Sequence, residues 1–421
     1  MAHWRSQEID HECAVTGYKE ITNNNLIIPA SITWNNIKYS VVSIEKEAFK
    51  HCGEVTSIVI PESVTSIGSS AFENCSGLTS INIPSGITSI EHETFCGCSG
   101  LTSVNIPSGV TTIEYGTFCG CSALTSINIP SGVTSIGSWA FYNCSGLTSI
   151  NIPESVTYIA EEAFFGCSGL TSVIIPKSVT FIEFWAFKNC KNLNTAIIEE
   201  GETDITLQSG CFTSVKKLVV NRNIVKGENR SPFSPELNNV ELGNQISNIC
   251  DGIFAECSGL TSIKISSSVT RIGKKAFYGC SGLSTINIPK NVTSIGSEAF
   301  SECKDQTAII EEGETDITLQ SGCFASVKKL ITNRNIIVQQ DDDGPYWSPF
   351  GKNLKTAEIE DKVTNICDYL FRYCNSLTSI NIPESVTRIG DGAFQECSSL
   401  TSINIPERVT CIEADAFSGC I

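Results

Sequence analysis

The chain is poor in the residues that most often do chemistry. It has 1 methionine and 4 histidines in 421 residues. His3, His11 and His51 sit near the N-terminus and only His92 lies further along. No Ser/His/Asp or Cys/His arrangement is suggested by that placement, so the common hydrolytic triads have no material to draw on. Basic residues are scarce too, with 28 Lys and Arg against 45 Asp and Glu. The resulting formal charge of −17 argues against nucleic-acid phosphate or an anionic membrane surface as partner. Long apolar runs are missing: Pro, Ser and Asn break each one short of the roughly 18 residues a membrane span needs. Met1 to Glu20 is polar and lacks the apolar stretch of a secretory leader. A cytoplasmic location, or a mature chain whose leader is gone, fits equally well.

What the chain has instead is repetition. The segment LTSINIPSGVTSIGSWAFYNCSG, Leu124 to Gly146, recurs at a 23-residue step. The cysteines alone mark it, at Cys75, Cys98, Cys121, Cys144, Cys167 and Cys190, then Cys257, Cys280 and Cys303, then Cys374, Cys397 and Cys420. A period of that length with Leu/Ile spaced LxxIxI indicates a leucine-rich solenoid, in which no unit buries its own apolar face and each must stack on its neighbours. The pattern predicts a mainly β, right-handed solenoid with parallel sheets and short 3₁₀ turns. About 17 coils can be counted, on the order of 80 Å of stacked strands.

In one coil, Leu124, Ile127 and Ile129 are expected to point inward while Thr125 and Asn128 face solvent. Pro130 ends the first strand because it has no N–H to give the next coil. Val133 and Ile136 begin a second short strand, which Gly137 releases into a turn. The three-residue spacing of Phe141 and Cys144 turns both inward on one 3₁₀ turn. The small Ala140 leaves room for a stacked column of Phe72, Phe95, Phe118, Phe141, Phe164 and Phe187. Most of the 21 cysteines fall at this one repeat position and are expected to be stacked, buried thiols, since in-register side chains point the same way and suit a ladder better than a disulfide.

The N-terminus departs from the period. Ile32 to Val42 around Asn35-Asn36 reads as a hairpin, and atypical terminal units are expected in such arrays. At the other end the last repeat stops at Ile421 with no visible cover for Leu400 to Ile405 and Val409 to Ile412, a template for end-to-end self-association. Two internal departures are copies of each other: Ala196 to Phe212 returns as Ala308 to Phe324, and Leu218 to Asn223 as Leu330 to Asn335. These irregular coils are expected to bulge. The second copy is five residues longer ahead of a shared Ser-Pro-Phe, where it carries Asp341-Asp342-Asp343-Gly344-Pro345-Tyr346-Trp347. Tyr346 and Trp347 beside acids make that loop a candidate contact.

Most motif-like features reduce to packing. Cys96-Gly97-Cys98 and Cys119-Gly120-Cys121 resemble zinc spacing, but Cys98 and Cys121 belong to the inward column, so four thiols would not converge. Cys96 and Cys119 are neighbours at coil spacing and form a redox-labile pair at most. Asp341 to Gly344 lacks the alternating ligands and distal Glu of a calcium loop. No metal and no cofactor are implied.

Leu147, Ile150, Ile152, Pro153, Val156, Ile159, Ala163, Phe164 and Cys167 fit the pattern LxxIxIPxxVxxIGxxAFxxC. With most other coils from Leu26 to Cys420, they resemble the BspA-like, or Treponema pallidum-type, leucine-rich repeat family. The Asn36 to Ile44 segment is most similar to members from gut and oral Bacteroidetes. The resemblance implies a surface protein of a host-associated microbe, an adhesin without catalytic residues whose partner is a protein or glycan of the host or a neighbouring microbe.

The expected layout is a capping hairpin and first coil over 1–53, regular repeats over 54–192, irregular coils over 193–259, and regular repeats over 260–304. Irregular coils with the inserted loop follow over 305–376, and regular repeats over 377–421. The candidate ligand surface is the first-strand face, where Thr79, Asn82, Thr102, Asn105, Thr125, Asn128, Thr148 and Asn151 form polar columns. The alternative is that these columns only keep the sheet soluble and the protein is a structural spacer.

Overall fold

The computed structural model describes residues 2–7, 11–18, 24–304, 306–339 and 347–420. The chain divides into two compact units, Met1–Val215 and Lys216–Ile421. Among the described residues there is no helix, only short strands and turns. Parallel β-coils stack at a roughly 23-residue period, about 16 of them over the two units.

In the first unit, strand Glu12–Tyr18 pairs antiparallel with Ala2–Gln7 and parallel with Ile37–Ile44. Asn35 and Asn36, at φ +51° and +63°, turn the chain between Ser31–Trp34 and Ile37–Ile44. Asn is among the few residues that tolerate this left-handed backbone. A separate sheet runs from Asn25–Ile27 through Ser57–Val59, Ser80–Asn82 and Ser103–Asn105, with Ser57 opposite Ser80 and Ser80 opposite Ser103. It narrows to single bridges from Asn105 to Asn128 and Asn128 to Asn151. A second sheet stacks Thr112–Ile113, Ser135–Ile136, Tyr158–Ile159 and Phe181–Ile182.

The third side of each coil is a run of turns in which successive N–H groups alternate direction. Ala140, Tyr142 and Cys144 donate to carbonyls three residues back, those of Gly137, Trp139 and Phe141. Trp139, Phe141 and Asn143 donate forward to the next coil, to Glu161, Ala163 and Phe165. The i→i+3 bonds anticipated from the Phe/Cys spacing are present, but a continuous 3₁₀ helix is not. Trp139 and Asn143 take φ of +59° and +56° and re-aim their N–H groups at the neighbouring coil. Each turn thereby joins the inter-coil ladder and leaves few backbone groups orphaned.

Leu124, Ile127, Ile129, Val133, Ile136, Ala140, Phe141 and Cys144 are all buried, as the coil reading expects. Phe rings stack in near-parallel pairs, 5.5 Å between the centroids of Phe118 and Phe141 and 5.1 Å between Phe141 and Phe164. The thiols are free and do more than fill space. Cys144 Sγ donates to Phe118 O at 3.1 Å, and Cys121, Cys167 and Cys190 do the same to Phe95, Phe141 and Phe164 at 3.0–3.2 Å. Glycine has a steric reason at Gly146, where a Cβ would lie 2.5 Å from Ser122 O.

In the second unit the irregular coils keep register. Thr285 pairs with Thr307, Thr307 with Lys329, Lys329 with Thr356, and Thr356 with Ser379. One irregularity interrupts the ladder of the second copy, between Gln306 and Thr307, where Gln306 pairs with Val327 and Thr307 with Lys329; beyond it the pairing runs on without a shift. The Ser-Pro-Phe motif supplies Phe350 to the aromatic column, 5.9 Å from Phe324 and 5.7 Å from Phe371. What breaks is the second sheet, between Ile336–Gln339 and Asn365–Ile366. There Asn335 Oδ1 accepts N–H bonds from Thr364 and Asn365 at 2.9 and 3.3 Å. In the first copy Asn223 Oδ1 accepts from Ser247 and Asn248 at 3.0 and 3.2 Å.

Candidate functional site

All eight Thr and Asn residues anticipated on the first-strand face are exposed. The Thr column is largely engaged with the chain itself: Thr102 Oγ1 donates to Thr79 O at 3.0 Å, and Thr148 Oγ1 to Thr125 O at 3.3 Å. These bonds extend the coil-to-coil ladder through the side chain, which is the structural role foreseen as the alternative. The Asn column differs. Asn82, Asn105 and Asn128 stand at coil spacing and line a surface depression of about 490 Å³ together with Ser85, Ser108 and Ser131. Pro107, Pro130, Ile83 and Ile106 add apolar lining. Four donors and acceptors per Asn pair are thus held on a rigid strand beside a partly apolar trough.

The inserted loop is described only at its end. Tyr346 lies outside the described residues. Trp347 is 51% exposed and its ring centroid is 5.9 Å from that of Tyr373. The structure therefore brings Trp347 against a turn-face aromatic of its own unit.

Sequence reasoning missed an aromatic cluster on the turn face of the first unit. Tyr115 stacks on Trp139 at 5.4 Å, Trp139 meets Tyr142 at 5.3 Å, and Tyr142 stacks on Phe165 at 4.9 Å. Tyr115 and Trp139 remain 37% and 39% exposed. Burial, with Glu93 nearby, raises the Tyr115 hydroxyl above its usual range. The available signal was positional: Trp139 and Trp185 stand two residues before the column Phe, where φ is positive and other coils place Gly116 or Gly252. Beside this cluster, Cys96 donates to the Cys119 sulfur, which raises Cys96 and lowers Cys119. Both thiols are free and half-buried. His92 is exposed in its turn, 3.7 Å from Glu114.

Among the described residues no group of three or more His, Cys, Asp or Glu is placed to hold a metal ion, and no helix is long and apolar enough to cross a membrane. The thiol columns have burial-raised pKa values, about 12 for Cys144 and Cys190, so they are poor nucleophiles.

No curated protein matches the chain. Solved structures do. A leucine-rich cell surface protein from Faecalibacterium prausnitzii A2-165 is 28% identical, over 75% of this chain and 95% of that one, with a TM-score of 0.44. A leucine-rich repeat protein from Bacteroides ovatus is 26% identical over 100% and 91%, with a TM-score of 0.36. The T. pallidum leucine-rich repeat protein is 25% identical over 51% and 86%, with a TM-score of 0.39. At these TM-scores the fold assignment rests on the chain's own strands and registers. The family model for the BspA-type leucine-rich repeat region, six copies of the repeat, matches residues 19–148, 134–257, 230–331 and 350–421. With most of its length matched to that model and its coils built as described, the chain belongs to the BspA-type leucine-rich repeat family.

Proposed function

We propose that the protein is a non-enzymatic interaction scaffold of a microbial surface, an adhesin that grips a host or neighbouring-microbe protein or glycan through its first-strand face. The observation that carries this reading is the Asn column. Asn82, Asn105 and Asn128 are exposed, evenly spaced and line one surface depression, while the Thr column beside them is occupied by inter-coil bonds. Rigid presentation lowers the ordering cost of binding. The family's role as a binding scaffold and the surface description of the F. prausnitzii relative support the same reading.

The Thr ladder favours one second reading, a structural spacer without a specific ligand. A binding screen against matrix proteins and glycans separates the two, followed by the Asn128→Arg/Asn151→Arg double variant. Loss of binding in that variant at unchanged melting temperature is the expected result. Binding that is lost instead with Tyr346→Ala/Trp347→Ala moves the site to the inserted loop. The absence of any ligand favours the spacer.

A further inference from the structure

The turn face carries a recurring pair of positions, two residues before the column Phe and one residue after it. In three coils the pair is an aromatic with a cation seated on it. Lys188 Nζ lies 4.6 Å from the Trp185 ring centroid, Lys275 Nζ 5.4 Å from Tyr278, and the Arg372 guanidinium 5.4 Å from Tyr369. Arg372 also covers Tyr373 at 4.8 Å. Around Phe141 the same two positions hold Trp139 and Tyr142, both aromatic, with Tyr115 stacked against Trp139. No cation of the described chain sits on that group.

Its surroundings are acidic. Glu162 occupies the turn position of Trp139 one coil later and Glu93 two coils earlier, with only Gly116 between. Glu161 O accepts the Trp139 N–H, and Glu93 acts electrostatically on Tyr115. The nearest imidazole, His92, meets the edge of Tyr115 at 6.4 Å between centroids and lies 3.7 Å from Glu114, which leaves the Trp139 and Tyr142 rings without it. The φ of +59° belongs to the turn position itself, since Trp185 has the same value and Glu162 one of +53°.

We propose that the Trp139–Tyr115–Tyr142 platform is a binding site for a lysine or arginine side chain of a basic segment on a partner protein. The partner's cation would take the place that Lys188, Lys275 and Arg372 fill on the other rings, with Glu93 and Glu162 as counter-charges. The ring quadrupole attracts such a cation, the more strongly as it is desolvated. The site is on the turn side, so its occupancy does not depend on the strand-face reading.

The test uses the full chain and a fluorescein-labelled hexapeptide of alternating glycine and arginine at physiological salt, read by anisotropy and by quenching of tryptophan emission. Binding weakened at least tenfold in Trp139→Gly is expected, at equal or higher melting temperature, because glycine accepts the left-handed backbone without strain. The Glu93→Gln/Glu162→Gln variant should also weaken binding, whereas Trp185→Gly should not, since Lys188 already covers that ring. Equal affinity for wild type and Trp139→Gly overturns the proposal, as does equal affinity for a glycine–glutamate peptide. Should Trp139→Gly fail to fold, Tyr115→Leu decides by the same reading.

Discussion

The regular coil Leu124–Gly146 and the irregular coils of Ala308–Ile359 build the same interior with different chemistry. The regular coil fills its turn side with a Phe ring and a thiol that donates to the preceding coil. The irregular coils keep the Phe column but seat a guanidinium inside. Arg334 is 2% exposed, and its Nη1 and Nη2 donate to Lys290 O at 2.8 Å and Val292 O at 2.6 Å. Burial lowers its pKa, with Glu311 and Asp316 partly opposing. First-sheet pairing thus continues through the irregular coils, and the filling behind it is what varies. The two donors serve different carbonyls, the thiol that of the preceding column Phe and the guanidinium those of Lys290 and Val292.

The largest effect should come from the element both regions share. Phe141→Ala removes a fully buried ring from the middle of a stack and should cost about 3–5 kcal/mol. Coupling in a solenoid runs between nearest neighbours. Hydrogen exchange should therefore rise first in the coils of Phe118 and Phe164 and last near Phe49. Uniform loosening across the first unit, or none, would show that the column is not the cooperative core.

The interior of the irregular coils should respond by a different route. Arg334→Ala strips hydrogen bonds from two buried carbonyls and is expected to cost about 2–3 kcal/mol in chemical denaturation. Arg334→Met restores apolar volume but no donor, so it should recover less than half of the loss. Full recovery by Met would mean the guanidinium serves only as volume, and the contrast between the two regions would collapse.

The period made the coil interior legible. Once Leu, Ile, Phe and Cys recur at 23, their inward placement follows from stacking alone. The hairpin around Asn35-Asn36 was legible too, because that dipeptide favours a left-handed turn. The turn face was not. Its alternating N–H directions and left-handed positions are backbone properties, and a Trp or Lys there leaves no periodic trace. Arg222 and Arg334 were hidden for a related reason: charge in sequence reads as surface, and only the geometry shows carbonyls waiting for a guanidinium. The Thr column was read correctly as outward-facing, yet its bonds to the preceding coil depend on distances no spacing conveys.

The smallest expected effect concerns a single thiol, and pH exposes it. Cys144→Ala deletes one S–H···O bond and a little volume, about 1 kcal/mol near neutral pH. Burial pushes Cys144, Cys190 and Cys303 up to about 12, against about 8.5 for an unfolded cysteine. Below pH 8.5 both states keep these protons, so the stabilisation is fully present. Between 8.5 and 12 the unfolded chain has released them while the folded one has not. Stability must therefore fall as pH rises, by about 1.4 kcal/mol per unit for each of these three cysteines. Under reducing conditions, unfolding of the wild type should steepen above pH 8.5, and Cys144→Ala should lessen the slope by one proton. The dependence should belong to every coil that buries such a thiol, Cys323 of the irregular coils included, so the alkaline slope reports the number of buried thiols in both regions. A flat profile to pH 10 would place the thiols in contact with solvent and remove the ladder from the account of stability.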